Sequence, residues 1–332
     1  MTKRSTRPPP PRTVRSPKLA SLITKRGQPS SIPPPIVTTK RPRIAFIGLG
    51  AMGTPMASRL VAAGYHVAVF NRSRGRDKAL VKDGATTHGS TKEAAGAADV
   101  IITMVTDAEA LATVLEGPSG VLASFATRQG GHKPVVVDMS TIGRRAALAA
   151  AKRVEAHGGR FVDAPVSGSV GPATRGELVA LVGGAVKTVE RLRPILSVLC
   201  KKIIHAGPIG QGQALKIVLN GIGAHHFVAL ASGLALGERA GLARDIVMDA
   251  VISGAFATPS YIGKREKLIR RDYAPDFTLS LALKDTTLNE ELQIETGLDL
   301  PVVRRILQEI ETAVEGGLGE LDLFGIEKHY RK

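Results

Sequence analysis

Lys216 and Asn220 stand four residues apart in Gly207-Pro-Ile-Gly-Gln-Gly-Gln-Ala-Leu-Lys-Ile-Val-Leu-Asn220, a run that continues almost without charge to Glu238. Gly207, Gly210 and Gly212 make a flexible approach. The spacing of Leu215, Val218, Leu219 and Ile222 then predicts a long buried helix. Residues i and i+4 share a helix face, so Lys216 and Asn220 stand together one turn in. A lone charge at the head of an apolar helix has two readings. It forms an ion pair or reaches solvent, or it is a lysine held beside a reacting carbonyl. In the second setting burial disfavours the ammonium and lowers its pKa toward the working pH, so the group can give or take a proton. His225 and His226 suggest a metal, but at about 100° per residue both fall off the face shared by Lys216 and Asn220. Packing or solvent contact is the expected role for both, and no metal is expected.

A proton donor needs a partner in the chemistry, and the start of the folded sequence offers one. Arg43-Ile-Ala-Phe-Ile-Gly48 reads as a buried parallel strand. It is followed by Gly48-Leu49-Gly50-Ala51-Met52-Gly53, by a helix running to Gly64, and by a second strand over His66–Phe70. A GxGxxG alone is a weak signal, but strand, loop, helix and strand together are the setting of a dinucleotide fingerprint. The glycines let the backbone approach a pyrophosphate at the positive end of the helix. An NAD site usually has Asp or Glu at the end of the second strand. This chain has Asn71-Arg72-Ser73-Arg74, with a planar guanidinium and a hydroxyl for a 2′-phosphate and no carboxylate to repel it. NADP(H) is therefore expected in preference to NAD(H), with Gly48 to Gly53 and Asn71, Arg72 and Ser73 as cofactor contacts.

Alternation continues through strands over 99–104, 134–138, 160–163, 177–182 and 202–205. Ligands in open parallel sheets lie beyond the carboxyl ends of the strands. Candidates therefore fall on the loops that follow: Met104 and Val105, Thr141, and Ser167-Gly168. From residue 207 onward the pattern is helical throughout, with apolar periodicity at Ile246, Val247, Ala250 and Val251 and again at Val302, Val303, Ile306, Leu307 and Ile310. The expected organisation is a basic, Pro-rich tail over 1–42, a dinucleotide-binding domain over 43–206 and an all-helical domain over 207–332.

With 43% hydrophobic and 22% charged residues the chain can bury a sizeable core. One cysteine, Cys200, excludes an internal disulfide and a cysteine-based metal cluster. The formal charge of +16 looks like a nucleic-acid signal until it is located. Residues 1–41 carry ten Lys/Arg and no acid, and residues 1–42 hold ten of the twenty prolines. Such a segment is expected to stay extended or disordered. It lacks aromatics to stack on bases, and its prolines oppose the amphipathic helix of a transit peptide. The uncharged run after Lys216 would satisfy a hydropathy window, but Asn220, His225 and His226 interrupt it, so no membrane span is expected.

Four motifs in order carry a family resemblance: IAFIGLGAMGTPMA at 44–57, DMSTI at 138–142, DAPVSGSVGPATRGEL at 163–178 and GQGQALKIVLN at 210–220. Over residues 43 to about 325 the chain resembles the β-hydroxyacid dehydrogenases, the family of 3-hydroxyisobutyrate dehydrogenase and the glyoxylate/succinic semialdehyde reductases. The resemblance implies an α/β Rossmann domain with a doubly wound, mostly parallel sheet, followed by an all-α C-terminal domain joined by a long interdomain helix. It implies Lys216 as the catalytic lysine with Asn220 beside it, and Ser167 and Gly168 holding the substrate carboxylate. Thr141 would lie near nicotinamide and substrate, Lys284 would contact the cofactor, and Phe277 and Asp285 would border the cleft. Where many members have Gly-Gly after the serine, this chain has Gly168-Ser169, which is more similar to the glyoxylate reductase branch; the rest of that loop mixes both branches.

The reading is an NADP(H)-preferring oxidoreductase of a small β-hydroxy acid and its semialdehyde or oxo acid. It is expected to be cytoplasmic, or mitochondrial if the tail acts as a transit peptide, and to form a homodimer or homotetramer. An imine reductase shares the fold but generally replaces the lysine. A non-catalytic nucleic-acid-binding relative would use the tail and have no need of Lys216, Asn220 and Ser167.

Overall fold

The computed structural model describes residues 41–126 and 133–331. The tail expected over 1–42 lies outside them except for Arg41 and Pro42. Arg41 already belongs to the folded body: its guanidinium lies 5.4 Å from the centre of the Tyr65 ring and donates to the Ala63 carbonyl.

The sheet is built from strands β1 (Ile44–Ile47), β2 (Val67–Phe70), β3 (Thr86–Thr87), β4 (Val100–Thr103), β5 (Val135–Asp138), β6 (Arg160–Asp163), β7 (Val166–Ser167), β8 (Leu178–Gly183) and β9 (Cys200–Gly207). Its order is β3-β2-β1-β4-β5-β6-β8-β7, with β9 also on β8. The first six strands run parallel, whereas β8 is antiparallel to β6 and β7. This is the doubly wound order, and it reverses between β1 and β4, where such sheets open a crevice. Two strands were not anticipated, β3 and β7. Each is two residues long, too short to show a period.

Alternate residues of β1 serve opposite faces, as a strand's period of two requires. Ile44 and Phe46 join a core with Met56, Leu60 and Val137, while Ala45 and Ile47 join another with Ile101, Leu111 and Val136. Helices α1 (Gly53–Ala62), α2 (Lys78–Lys82), α3 (Thr91–Gly96), α4 (Ala108–Leu115), α5 (Arg144–Ala156), α6 (Val170–Arg175) and α7 (Val186–Leu199) complete this part. Asp107 caps α4 through the Ala110 amide, as its position after β4 suggests.

The chain then enters α8 (Gln211–Arg239), 29 residues and so roughly 44 Å long. Five shorter helices follow: α9 (Arg244–Ser253), α10 (Pro259–Ile269), α11 (Leu279–Thr296), α12 (Pro301–Ala313) and α13 (Glu327–Tyr330). They share cores in which Ala224 and Ala231 of α8 meet Leu279, Ile306 and Ile310, and Leu230 and Leu234 meet Met248, Tyr261 and Phe324. Arg244, buried at 8% exposure, pairs with Glu327 and Glu238, and Tyr273 donates to Glu327. The guanidinium thus enters the helical core with its charge matched. By length and composition α8 could cross a membrane; in the structure Gly212, Gln213, Ile217, Gly221 and Ala224 of its first half are buried.

Candidate active site

Dinucleotide chemistry sets the first requirement, a loop that admits a pyrophosphate. Gly48 adopts φ 99°, and a Cβ there would lie 2.2 Å from the Met104 carbonyl oxygen. A Cβ on Gly53 would lie 1.9 Å from the Gly48 oxygen. Only glycine fits either place, whereas Gly50 has open space around it. No side chain caps α1, and the Thr54 and Met56 amides turn back to the Gly50 and Met52 carbonyls, so it is the loop ahead of the helix that is left to meet an anion. Leu49, inside the loop, is buried and packs into the core beneath it.

The turn after β2 closes on this loop. The Leu49 amide donates to Asn71 Oδ1 at 2.8 Å, and Asn71 Nδ2 donates to the Ser73 carbonyl. Arg76 Nη1 donates to the Leu49 carbonyl at 3.3 Å. Arg72, Ser73 and Arg74 are exposed. The side chain of Asn71 is thus engaged in shaping the loop. The guanidinium drawn in beside the loop is that of Arg76, which the sequence offers as a partial substitute for Arg72. These residues fit a dinucleotide, with cations placed beyond the second strand.

A second cluster lies across the cleft. Lys216 is half-buried on α8. Burial holds its pKa below the ordinary lysine value; Asp285 opposes this and Lys284 adds to it. Its ammonium has no hydrogen-bond partner among the described residues. Asn220, on the same face, donates to Asp285 Oδ2. Asp285 is 6% exposed, and its Oδ1 lies 3.1 Å from Lys284 Nζ. Lys284 in turn donates to the Thr141 carbonyl at 2.8 Å and the Thr106 carbonyl at 3.1 Å. One lysine of α11 thereby ties the helical part to the loops after β4 and β5. Helical spacing brings Lys216 and Asn220 together as expected; Asp285 and Lys284, from a segment with no period of its own, complete the cluster.

The remaining candidates fall on several elements. Met104 and Val105 follow β4, with the Val105 amide donating to Ser140 Oγ. Ser167 ends β7, half-buried, and Gly168 is exposed at φ 131°. Phe277 packs against the helical core, its amide 3.3 Å from Asp322 Oδ2. His225 Nδ1 bonds to the Gly221 carbonyl within α8, and the His226 carbonyl accepts from Tyr261. No group of side chains suited to holding a metal occurs among the described residues.

Sequence reasoning passed over Gln213. It is fully buried and bonded at both ends of its amide. The available signal was a polar residue three positions before Lys216 in an otherwise apolar run.

A doubly wound sheet with a glycine-rich first turn, facing a half-buried lysine on the long helix α8, defines a dinucleotide-dependent oxidoreductase. Comparison with known proteins narrows the class. Residues 43–207 match the NAD binding domain of 6-phosphogluconate dehydrogenase, and residues 210–330 match the NAD-binding domain of NADP-dependent 3-hydroxyisobutyrate dehydrogenase. The chain is 35% identical to 2-(hydroxymethyl)glutarate dehydrogenase of Eubacterium barkeri, over 86% of this chain and 94% of that one. It is 32% identical to glyoxylate/succinic semialdehyde reductase 1 of Arabidopsis thaliana, over 85% and 96%. The solved structure of Mycobacterium tuberculosis 3-hydroxyisobutyrate dehydrogenase with L-serine aligns at a TM-score of 0.78 and 29% identity, covering 88% of this chain and all of the other. The chain belongs to the β-hydroxyacid dehydrogenase family, whose members here are NAD(P)-dependent oxidoreductases.

Proposed function

We propose that the chain is an NADP(H)-preferring oxidoreductase interconverting a small β-hydroxy acid with its semialdehyde or oxo acid, with Lys216 as general acid and base. The observation that carries this is Lys216 itself. It is an ammonium of lowered pKa with no hydrogen-bond acceptor among the described residues, facing Asn220, Asp285 and Lys284 where the Thr141 loop meets α8. Gly48 to Gly53 would hold the pyrophosphate, and Arg72 and Arg76 the 2′-phosphate. When bound, the nicotinamide supplies or accepts the hydride.

In reduction Lys216 Nζ gives its proton to the carbonyl oxygen as negative charge develops there; in oxidation the neutral amine takes it back. Desolvation lowers the affinity of the amine for its proton, and the nearby Asp285 opposes that lowering. Asn220 keeps that carboxylate in place. Ser167 and Gly168 would hold the substrate carboxylate and Thr141 would orient the carbonyl, which turns the encounter into a positioned transfer. A positioned acid–base group contributes about 10²–10⁴-fold.

Support for a homodimer or homotetramer comes from α8, where Val218, Leu219 and Ile222 are 47%, 39% and 52% exposed. The packing of the first half of α8 supports a helix held inside a protein and not in a bilayer. We take the enzyme to be cytoplasmic and without a nucleic-acid partner; the intact Lys216 cluster supports a catalytic role over a binding one. The discriminating experiment is a turnover screen with NADPH and NADH against glyoxylate, succinic semialdehyde, tartronate semialdehyde and methylmalonate semialdehyde. Turnover of one or more, faster with NADPH, is expected. No turnover together with salt-dependent DNA binding that is lost on deleting residues 1–40 would replace it with a nucleic-acid-binding role.

A further inference from the structure

The head of α8 is fixed to the sheet by an arrangement that the proton-transfer chemistry does not by itself require. The Asp163 carboxylate, at the end of β6, accepts from the Gly210 amide at 2.7 Å and the Gln213 amide at 2.8 Å. It thereby satisfies two donors of the helix's first turn from outside the helix. Gly210 is left-handed at φ 88°, and a Cβ on Gly212 would lie 2.4 Å from the Leu181 carbonyl oxygen, so the helix starts in contact with the sheet.

Gln213 extends this anchorage sideways. Its Oε1 accepts from the amides of Ile142 at 3.1 Å and Gly143 at 3.3 Å, and its Nε2 donates to the Ser140 carbonyl at 2.8 Å. The side chain is 0% exposed. Its three bonds therefore bracket Thr141 on both sides. Ser140 is itself held: its hydroxyl donates to Asp138 Oδ1 at 2.7 Å and accepts from the Val105 amide at 2.9 Å. One amide, one helical turn before Lys216, thus joins the segment carrying the proton donor to the segment carrying Thr141, and through Ser140 to Val105.

We infer that Gln213 is a positioning residue for the reaction, setting the Thr141 loop and Lys216 at a fixed separation. This rests on the proposed function above. Transfer between positioned groups is sensitive to displacements of an ångström, and three buried backbone groups with no other hydrogen-bond partner among the described residues hold the geometry to one arrangement. A residue that only stabilised the fold would leave catalysis by the folded fraction unchanged.

The test uses the full chain with Gln213→Met, which fills the same space without the amide, and with Gln213→Ala, which leaves room for water at the exposed backbone groups. Both are assayed well below their melting temperatures. We expect kcat to fall 10- to 100-fold, with the dissociation constant for NADPH changed less than threefold. The primary isotope effect with 4-deuterated NADPH should rise toward its intrinsic value as hydride transfer becomes limiting. Hydrogen exchange at the Ile142 and Gly143 amides should quicken at least tenfold in both variants, a readout independent of turnover. A variant that keeps kcat within twofold and an unchanged isotope effect overturns the positioning role while leaving the proposed function standing. Should Gln213→Met fail to fold, Gln213→Ala decides on the same criteria. If neither folds, Gln213 is a residue of stability and the inference fails. No turnover by the unmodified protein, with glyoxylate or any of the three semialdehydes, overturns the proposed function and this role with it.

Discussion

At the scale of single residues, a half-buried lysine and a buried carboxyl have pKa values displaced in opposite senses, and each displacement has a measurable consequence. Lys216→Ala should lose at least 10²-fold in kcat while still binding NADPH, since the glycine-rich loop lies on another element. The pH dependence follows from the direction of the shift. A lysine held below its ordinary value has lost its proton at a lower pH, so reduction should fall, and oxidation rise, as pH passes through that lowered value. Wild-type turnover in Lys216→Ala, or parallel pH limbs in the two directions, would remove Lys216 from the mechanism. The other group is Asp138, whose carboxyl is pushed up to about 7 by burial, against the hydrogen bonds from Ser140 and Thr103 and with the Asp163 charge adding to the rise. One oxygen accepts from both hydroxyls; the other has no partner among the described residues. Because the folded value is raised, the folded state binds a proton that the unfolded state has released between about pH 4 and 7. Stability should therefore decline as pH rises across that window. Asp138→Asn keeps the accepting oxygen and has no charge to develop, so its advantage over the wild type should grow from pH 5 to pH 8, on the order of a few kcal/mol. Parallel stability curves for the two proteins would show that Asp138 is ionised throughout.

At the scale of elements, the turn after β2 is where the proposed preference for NADPH can be tested. Arg72 is exposed and free to reach a 2′-phosphate, while Arg76 is already drawn to the Leu49 carbonyl. Charge-assisted bonds are worth about 1.5–3 kcal/mol, so kcat/KM should favour NADPH by roughly 10- to 100-fold. Arg72→Ala should erode the preference and Arg72→Ala with Arg76→Ala should abolish it, with NADH turnover little changed. A wild type that prefers NADH would make both arginines surface charges. This turn also shows where the sequence is legible and where it stops. Strand, glycine loop and helix announce themselves because each has its own period or its own glycine. The destination of a side chain does not: Asn71 turns back to Leu49 and Ser73, and nothing in Asn71-Arg72-Ser73 states that. The same limit explains the cluster around Lys216. Its pairing with Asn220 is local helical geometry, whereas Asp285 and Lys284 arrive from α11 through packing of non-sequential elements. Gln213 is a further case, its partners lying some seventy residues back in the chain. β3 and β7 escaped for a different reason, having only two residues each in which to alternate.

At the scale of the whole molecule, α8 joins the proposed chemistry to the proposed association. Its inner face carries Ile217, Gly221 and Ala224 into the body, and the Asn289 side chain comes so close that a Cβ on Gly221 would lie 2.3 Å from its amide nitrogen. The other face is apolar as well. Val218 and Ile222 are one turn apart, with Leu219 between them, and all three are open to solvent in the single chain. An apolar stripe on this second face calls for cover there too. The stripe begins two residues after Lys216, so a second copy seated there would also stiffen the segment carrying the proton donor. Leu219→Lys with Ile222→Lys places two like charges on that stripe without touching Lys216, Asn220 or Gln213. By light scattering coupled to size exclusion, the unmodified protein should run as a dimer or tetramer and the double variant as a smaller species. Its kcat should fall with assembly if the second copy steadies α8. A variant that keeps the wild-type mass would mean that this stripe is covered in some other way, and a wild type that is monomeric at micromolar concentration would remove association through α8 altogether.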